Sequence, residues 1–483
     1  MNNKTIISNF IWRFLERCGA QGVTLVVSII LARILDPSEY GTIALITVFI
    51  TILQVFVDSG MGNALIQKKE ADDLDFSSVF WFNLIMCVCL YLLMYFCAPL
   101  ISEFYKMPEL TPIIRVLSLI LIISGVKNVQ QAYVCRNMLF KKFFFSTLGG
   151  TIGAALVGIT MAYCGFGVWA LVAQMLFNSF VDTVILWVTV KWKPIWAFSK
   201  ERLKVLFSYG WKLLVSALVD TIYKDVRQLI IGKIYTKEDL AFYNQGQRFP
   251  KLIITNINSS IDSVLLPVMS GVQDDTTAIK QMTRRSIITS TYLIMPLMVG
   301  LAVCAKPIVS LILTEKWLYC VPFLRVFCVS YAFFPIHTAN LNAIKAMGKS
   351  GLFLKLEIIK KIVSVTALVV TMWISPLAMA YSLLATSVIG QIINAWPNKK
   401  LMNYSYLEQV KDMLPQILLS LGMGVLVYCI PTIGASSFAD LFVRVFVGVL
   451  VYWGGSKLFN IDGYKYLLNM LSGLLNRKNK SNS

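Results

Sequence analysis

Apolar runs of 18 or more residues follow one another along almost the whole chain, separated by short polar breaks. Runs of that length predict membrane-spanning helices, because a span needs about 20 residues. Fourteen can be placed, at about 10–33, 41–64, 77–100, 113–136, 143–164, 167–190, 207–234, 242–270, 286–305, 320–344, 352–374, 376–397, 414–431 and 438–459. A membrane β-barrel would instead show alternating segments of about 10 residues. The expected fold class is an all-α polytopic membrane protein. Polar connectors at 191–204 and 398–413 divide the spans into six, six and two. The expected domains are 1–195, 196–400 and 401–460, followed by a polar tail at 461–483.

Polar residues inside the spans are not scattered. Lys212, Ser216, Asp220, Lys224 and Arg227 step by four, four, four and three through the seventh span, which places them in one row on a helix. In the first span Arg13, Arg17, Gln21, Thr24 and Ser28 do the same, and in the eighth Gln245, Arg248, Thr255, Asn258 and Asp262 fall at helical steps with Lys251 close by. A charge near the bilayer centre costs about 2.5–3.5 kcal/mol on insertion scales. Such rows are expected to face protein-lined water. Spans 3, 9, 13 and 14 read as almost wholly apolar.

The two groups of six resemble each other. ILARILDPSEYGTIA at 30–44 aligns with IIGKIYTKEDLAFYN at 230–244, PLIS at 99–102 with PIVS at 307–310, and PIIRVL at 112–117 with PFLRVF at 322–327. The offsets are 200, 208 and 210. Three matches in order mark an internal repeat. Six spans per repeat start both halves on the same side of the membrane, so the lobes are pseudo-symmetric about an axis along the membrane normal.

Composition sharpens this picture. The chain is 57% hydrophobic and 14% charged, unlike a soluble enzyme, and carries a net charge of +19 with one histidine. Most of the basic excess sits in alternate connectors, at Lys68, Lys69, Arg136, Lys141, Lys142, 191–204, Lys280, Arg284, Arg285, Lys345, Lys349, Lys355, Lys399, Lys400 and Lys411. Positive connectors face the cytoplasm, so both termini are expected there. No basic block interleaved with aromatics points to nucleic acid. The ten cysteines contain no CxxC pair and read as packing residues. There is no GxxxxGK[ST] nucleotide loop and no HExxH metal set. No catalytic residue, metal or bound cofactor is expected. His337 is expected to be hydrogen-bonded within the bundle.

The row residues leave two readings open. Arg13, Arg17, Lys212, Lys224, Arg227, Arg248 and Lys251 can make a cationic cleft for an anionic substrate such as a diphosphate, since arginine's planar fork holds phosphate oxygens in pairs. Asp58 and Asp220 would then balance charge or carry H+ or Na+. Alternatively these are ion pairs within a packed bundle, with Asp220 and Lys224 at i,i+4 the obvious couple.

An N-terminal helix with Arg13 and Arg17, the turn ILARILDPSEYG at 30–41 and the segment DSGMGNALIQKKE at 58–70 resemble Wzx-type oligosaccharide and polysaccharide flippases. These belong to the multidrug/oligosaccharidyl-lipid/polysaccharide (MOP) superfamily, and the likeness is to its colanic-acid exporter branch, over about residues 5–460. The resemblance implies two six-helix lobes plus two C-terminal helices in a bacterial inner-membrane protein. It implies a monomer that flips undecaprenyl-diphosphate-linked oligosaccharide outward by alternating access, driven by an ion gradient. The seven cations would contact the diphosphate or acidic sugars. The competing functions are a drug/cation antiporter of the same superfamily, which would want an acidic cavity, and a membrane-embedded glycan enzyme, which would be marked by paired carboxylates near the outer face; Asp36 and Glu39 sit there, but in a tight turn next to Pro37.

Overall fold

Among the described residues the apolar runs are helical, and polar breaks supply N-caps such as Asp72, Ser199, Asp275, Ser375 and Ser405. The computed structural model describes residues 3–58, 61–68, 71–431 and 438–468; the side chains of 3–11, 13–18, 58, 63, 67, 209 and 212 lie outside the description. Among the described residues there are eighteen α-helices and no strand. The first nine are α1 (Asn3–Ile34), α2 (Pro37–Asp58), α3 (Met61–Gln67), α4 (Asp73–Tyr105), α5 (Leu110–Leu117), α6 (Leu119–Arg136), α7 (Phe140–Tyr163), α8 (Val168–Thr189) and α9 (Lys200–Ile234). There follow α10 (Lys237–Ser270), α11 (Thr276–Val303), α12 (Ala305–Ile312), α13 (Val321–Ala332), α14 (Phe334–Ala346), α15 (Ser350–Thr371), α16 (Pro376–Met402), α17 (Tyr406–Tyr428) and α18 (Phe438–Leu458).

Eleven of the described segments are long and apolar enough to cross a membrane, and α9 makes twelve if its two arms are one span. Two of the fourteen expected spans therefore fall outside that count. In α1 the described apolar stretch is Gly19–Ile34 alone. In α15 the charges Lys355, Glu357, Lys360 and Lys361 interrupt the run, and Lys360 is paired with Glu357 at 2.6 Å. Three expected spans are also divided: the second, where α2 ends at Asp58 and α3 starts at Met61, the fourth at Ser118 and the tenth at Phe333.

The chain forms two compact units, 1–241 and 242–483. In the first, α7 lies against α1 and α8, while α4 lies against α5, α6 and α9. Its core joins Leu65, Phe76, Phe80, Val129, Phe143, Leu186, Trp192 and Leu206. In the second, α11 packs on α13, α14 and α17, and α16 packs on α13, α14 and α15. There Met269, Ile287, Ile336, Ala339, Met402 and Met413 form one cluster, and Tyr292, Met423, Val427 and Tyr452 another.

The repeat returns in the backbone. α1 ends at Ile34 and α9 at Ile234; α2 begins at Pro37 and α10 at Lys237. Glu39 accepts from the Asp36 N–H at 2.8 Å, and Asp239 accepts from the Thr236 N–H at 3.3 Å, so both second helices are capped from the same position. Arg115 Nε donates to the Tyr95 carbonyl and Arg325 Nε to the Ala302 carbonyl, each at 3.3 Å. α6 and α14 also stop alike. Met138 and Gly348 both turn left-handed, at φ 54° and 71°, and the next N–H, of Leu139 or Lys349, returns to Val134 or Ile344. No atom lies within 4 Å of a Cβ built on Gly348, so Gly348→Ala is expected to cost only the backbone term, about 1–2 kcal/mol. Met138→Gly, at the matching turn, is expected to be neutral or stabilising. Thermal unfolding of the detergent-solubilised variants checks both signs.

Candidate functional site

The polar rows lie on helices that the two junctions position. In α9 the charged row divides. Lys224 is exposed and its Nζ lies 2.6 Å from half-buried Asp220, the i,i+4 pair anticipated above. Arg227 is 4% exposed. Ser216 is exposed one turn before Asp220. In α10 Arg248 is half-buried and Lys251 exposed, and from Lys251 an exposed row continues through Thr255, Ser259 and Ser263. In α1 Gln21 and Thr24 are exposed. The side chains of Arg13, Arg17, Asp58 and Lys212 lie outside the described residues. Of the nine expected site residues, the structure thus brings Asp220 and Lys224 together and sets Arg227 apart from them by burial.

α9 itself bends by 52° between Lys200–Ser208 and Leu213–Ile234, with Gly210 in the break. A cavity of about 30 Å³ sits beside the bend, lined by Phe207, Gly210, Trp211, Met61, Asn83 and Asn128 among others. It has room for a water but not for a sugar.

Three further charged pairs were not foreseen as pairs from the sequence. Lys127 on α6 and Asp182 on α8 form an ion pair at 3.1 Å, and the other Asp182 oxygen is buried without a hydrogen bond. On α18, in a span read as almost wholly apolar, Asp440 and Arg444 pair at 2.8 Å and Arg444 donates to the Val427 and Ile430 carbonyls. That pair closes the exposed end of α17. Asp75 is fully buried and takes both its oxygens to Lys68 Nζ at 2.6 and 2.7 Å.

The second unit holds a layer of buried amides. Asn340 accepts from Asn398 at 2.6 Å and from Gln409 at 3.0 Å, and donates to Gln409 at 2.8 Å. Asn342 donates to Asp262 and Thr338 to Asn258, tying α14 to α10. His337 lies 2.9 Å from Asn394 and 3.5 Å from Ser387, hydrogen-bonded within the bundle as expected.

Helices long and apolar enough to span a membrane, carrying exposed polar rows and paired charges, define a polytopic helical membrane protein. The chain belongs to the polysaccharide biosynthesis protein family, which matches residues 30–322. It is 24% identical over 368 residues to the succinoglycan biosynthesis transport protein ExoT of Rhizobium meliloti (strain 1021), covering 76% of this chain and 74% of that one. It is 23% identical over 445 residues to the lipopolysaccharide biosynthesis protein WzxC of Escherichia coli (strain K12), covering 88% of each. Among solved structures, the lipid II flippase MurJ in an inward closed conformation shares the fold, with a TM-score of 0.74 and 16% identity over 97% of this chain and all of that one. The Wzx-type resemblance read from 30–41 and 58–70 agrees with these relatives.

Proposed function

We propose that the protein flips lipid-linked oligosaccharide, the repeat unit of a surface polysaccharide, across the bacterial inner membrane by alternating access through a cationic cavity. The observation that carries this reading is the exposure of polar rows on the long helices, Ser216 and Lys224 on either side of half-buried Asp220 on α9 and Lys251–Thr255–Ser259–Ser263 on α10. Polar side chains in lipid are costly, and exposed rows of them fit helices that border water or a polar cargo. The likeness to a succinoglycan transport protein, a lipopolysaccharide biosynthesis protein and a lipid II flippase supports a lipid-linked glycan as that cargo. Undecaprenyl diphosphate is the lipid carrier in this reading. Arg13, Arg17, Lys212, Lys224, Arg227, Arg248 and Lys251 would contact the diphosphate or acidic sugars. Asp58 and Asp220 would serve H+ or Na+ coupling, and the protein would work as a monomer with both termini cytoplasmic.

Arg17→Ala and Arg227→Ala are each expected to abolish export, with lipid-linked sugar accumulating and the amount of protein in the membrane unchanged. Export at the wild-type level by both variants would reject the cationic cavity.

A further inference from the structure

The connector between α8 and α9 is not a loose loop. Its backbone is pinned from four sides. The Ile195 N–H donates to Ser77 Oγ at 3.0 Å and the Ser199 N–H to Ser78 Oγ at 2.9 Å. Trp81 Nε1 donates to the Ile195 carbonyl at 3.0 Å, and Gln130 Nε2 to the Trp192 carbonyl at 3.1 Å. Ser77, Ser78 and Gln130 are themselves fully buried. Trp192 plugs inward among Phe76, Phe80 and Tyr133.

What the pinned backbone presents outward is apolar and basic. Trp196 is 91% exposed and stacks on Trp81 at 4.5 Å, and Ile195 and Phe198 are exposed beside it. Lys191, Lys193, Lys200 and Lys204 are exposed along the same stretch, against Glu201. Lys193 turns back to the Trp187 carbonyl and ring. Arg202 is taken up by Asp72 and Asp75. After the connector, the Lys200–Ser208 arm lies at 52° to the rest of α9, with Val205 and Phe207 exposed.

We propose that residues 191–207 form a binding site for anionic phospholipid headgroups at the membrane surface. The segment joins the ends of two spanning helices, so it lies at the membrane–water boundary without any partner having to diffuse to it. Exposed tryptophan and phenylalanine are favoured at headgroup depth. Lysines there attract anionic lipid, about fivefold in affinity for each one near the surface. Their long stems let the ammonium groups reach the phosphates while the aromatics sit deeper. The backbone pins hold this face in place before lipid arrives, so little ordering is lost on binding. None of these residues belongs to the rows assigned to transport, and the site stands whether or not the transport reading does.

The test uses the full chain in nanodiscs of phosphatidylcholine with added phosphatidylglycerol carrying a nitroxide near the headgroup. The emission lost in Trp196→Phe is taken as the Trp196 signal. That signal is expected to be quenched by the nitroxide lipid and protected from iodide in the water. In the Lys191→Gln/Lys200→Gln/Lys204→Gln variant, half-maximal quenching is expected to need at least five times more of the labelled anionic lipid, with thermal stability unchanged. Quenching of Trp196 by iodide and not by lipid would overturn the proposal. So would protection from both quenchers, which would mean a protein covers the face, and so would equal lipid dependence in the wild type and the triple variant.

Discussion

Gly41→Ala is expected to abolish glycan export and lower the thermal stability of the purified protein. Gly41 closes the ILARILDPSEYG turn and is buried as the fifth residue of α2. A Cβ at this position would land on the carbonyl oxygen of Lys237, far inside van der Waals contact. Lys237 opens α10, so the glycine is where the first junction of one repeat touches the matching junction of the other. The same neighbourhood holds Lys237 on Glu109 at 3.2 Å, Lys233 on the Phe104 carbonyl, and Leu45 against Gly232. Overpacking against side chains costs about 1–3 kcal/mol. Here the obstacle is backbone within a helical turn, so the upper end applies and the junctions must part. Gly454→Ala, where a Cβ meets no atom within 4 Å, is the control. It should leave export and stability unchanged or slightly improve stability, since alanine is the better helix former. Normal export by Gly41→Ala would show that the junctions need not touch.

The second large effect is expected at Lys68. Its partner Asp75 is fully buried, whereas the Lys68 side chain is 32% exposed. Removing Lys68 leaves a buried carboxylate short of its main counter-charge, a situation that costs about 3–5 kcal/mol. Arg202, 3.6 Å from the same carboxylate, takes up part of that load, so Lys68→Met is placed at the lower end. Asp75→Asn should cost less, about 1–2 kcal/mol, because the freed lysine can rehydrate and the amide oxygen can still accept from the Asp72 N–H. The double variant should therefore be more stable than Lys68→Met alone. Additive losses in a double-mutant cycle of thermal or denaturant unfolding would refute this account. The neighbouring Asp72 resists acid. The Arg202 guanidinium, helped by the Asp75 N–H, holds its carboxyl at about 2, below the ordinary 3.8. A depressed folded value stabilises above the unfolded value and is lost as pH falls through the folded one. The Asp72–Arg202 contact should accordingly persist at pH 4 to 7 and weaken only toward pH 2.

Much of the architecture was legible because it depends on local pattern. Pro37, Gly165, Gly348 and Pro376 mark real helix ends, and the 200-residue offset matches the two junctions, although the helices after them begin at Pro37 and Lys237, four and five residues before the expected spans. The break at Ser118 was not legible. Both flanks are apolar and neither proline nor glycine stands there; α5 and α6 part company through packing on α4. The charged pairs divide the same way. Asp220 with Lys224 was visible as an i,i+4 couple. Asp440 with Arg444 has the same spacing but was hidden by the high hydropathy of its surroundings. Lys127 and Asp182 are 55 positions apart and Lys68 and Asp75 straddle a turn, so it is the tertiary fold, not local spacing, that joins them. A lone carboxylate in an apolar run, as at Asp182, was the one usable signal.

The clamping of α9 has a mechanical consequence. At its start Arg202 is tied to Asp72 and Asp75, and near its finish Tyr105 bonds the Leu229 carbonyl and Lys233 the Phe104 carbonyl. Asp75, Phe104 and Tyr105 lie on the single helix α4, and Asp72 is its N-cap. A beam held at both supports cannot swing; it can only flex between them, and here the compliant joint at Gly210 is already set off-line. Load entering at either anchor is therefore delivered to the stretch that carries Lys212, Ser216 and Asp220.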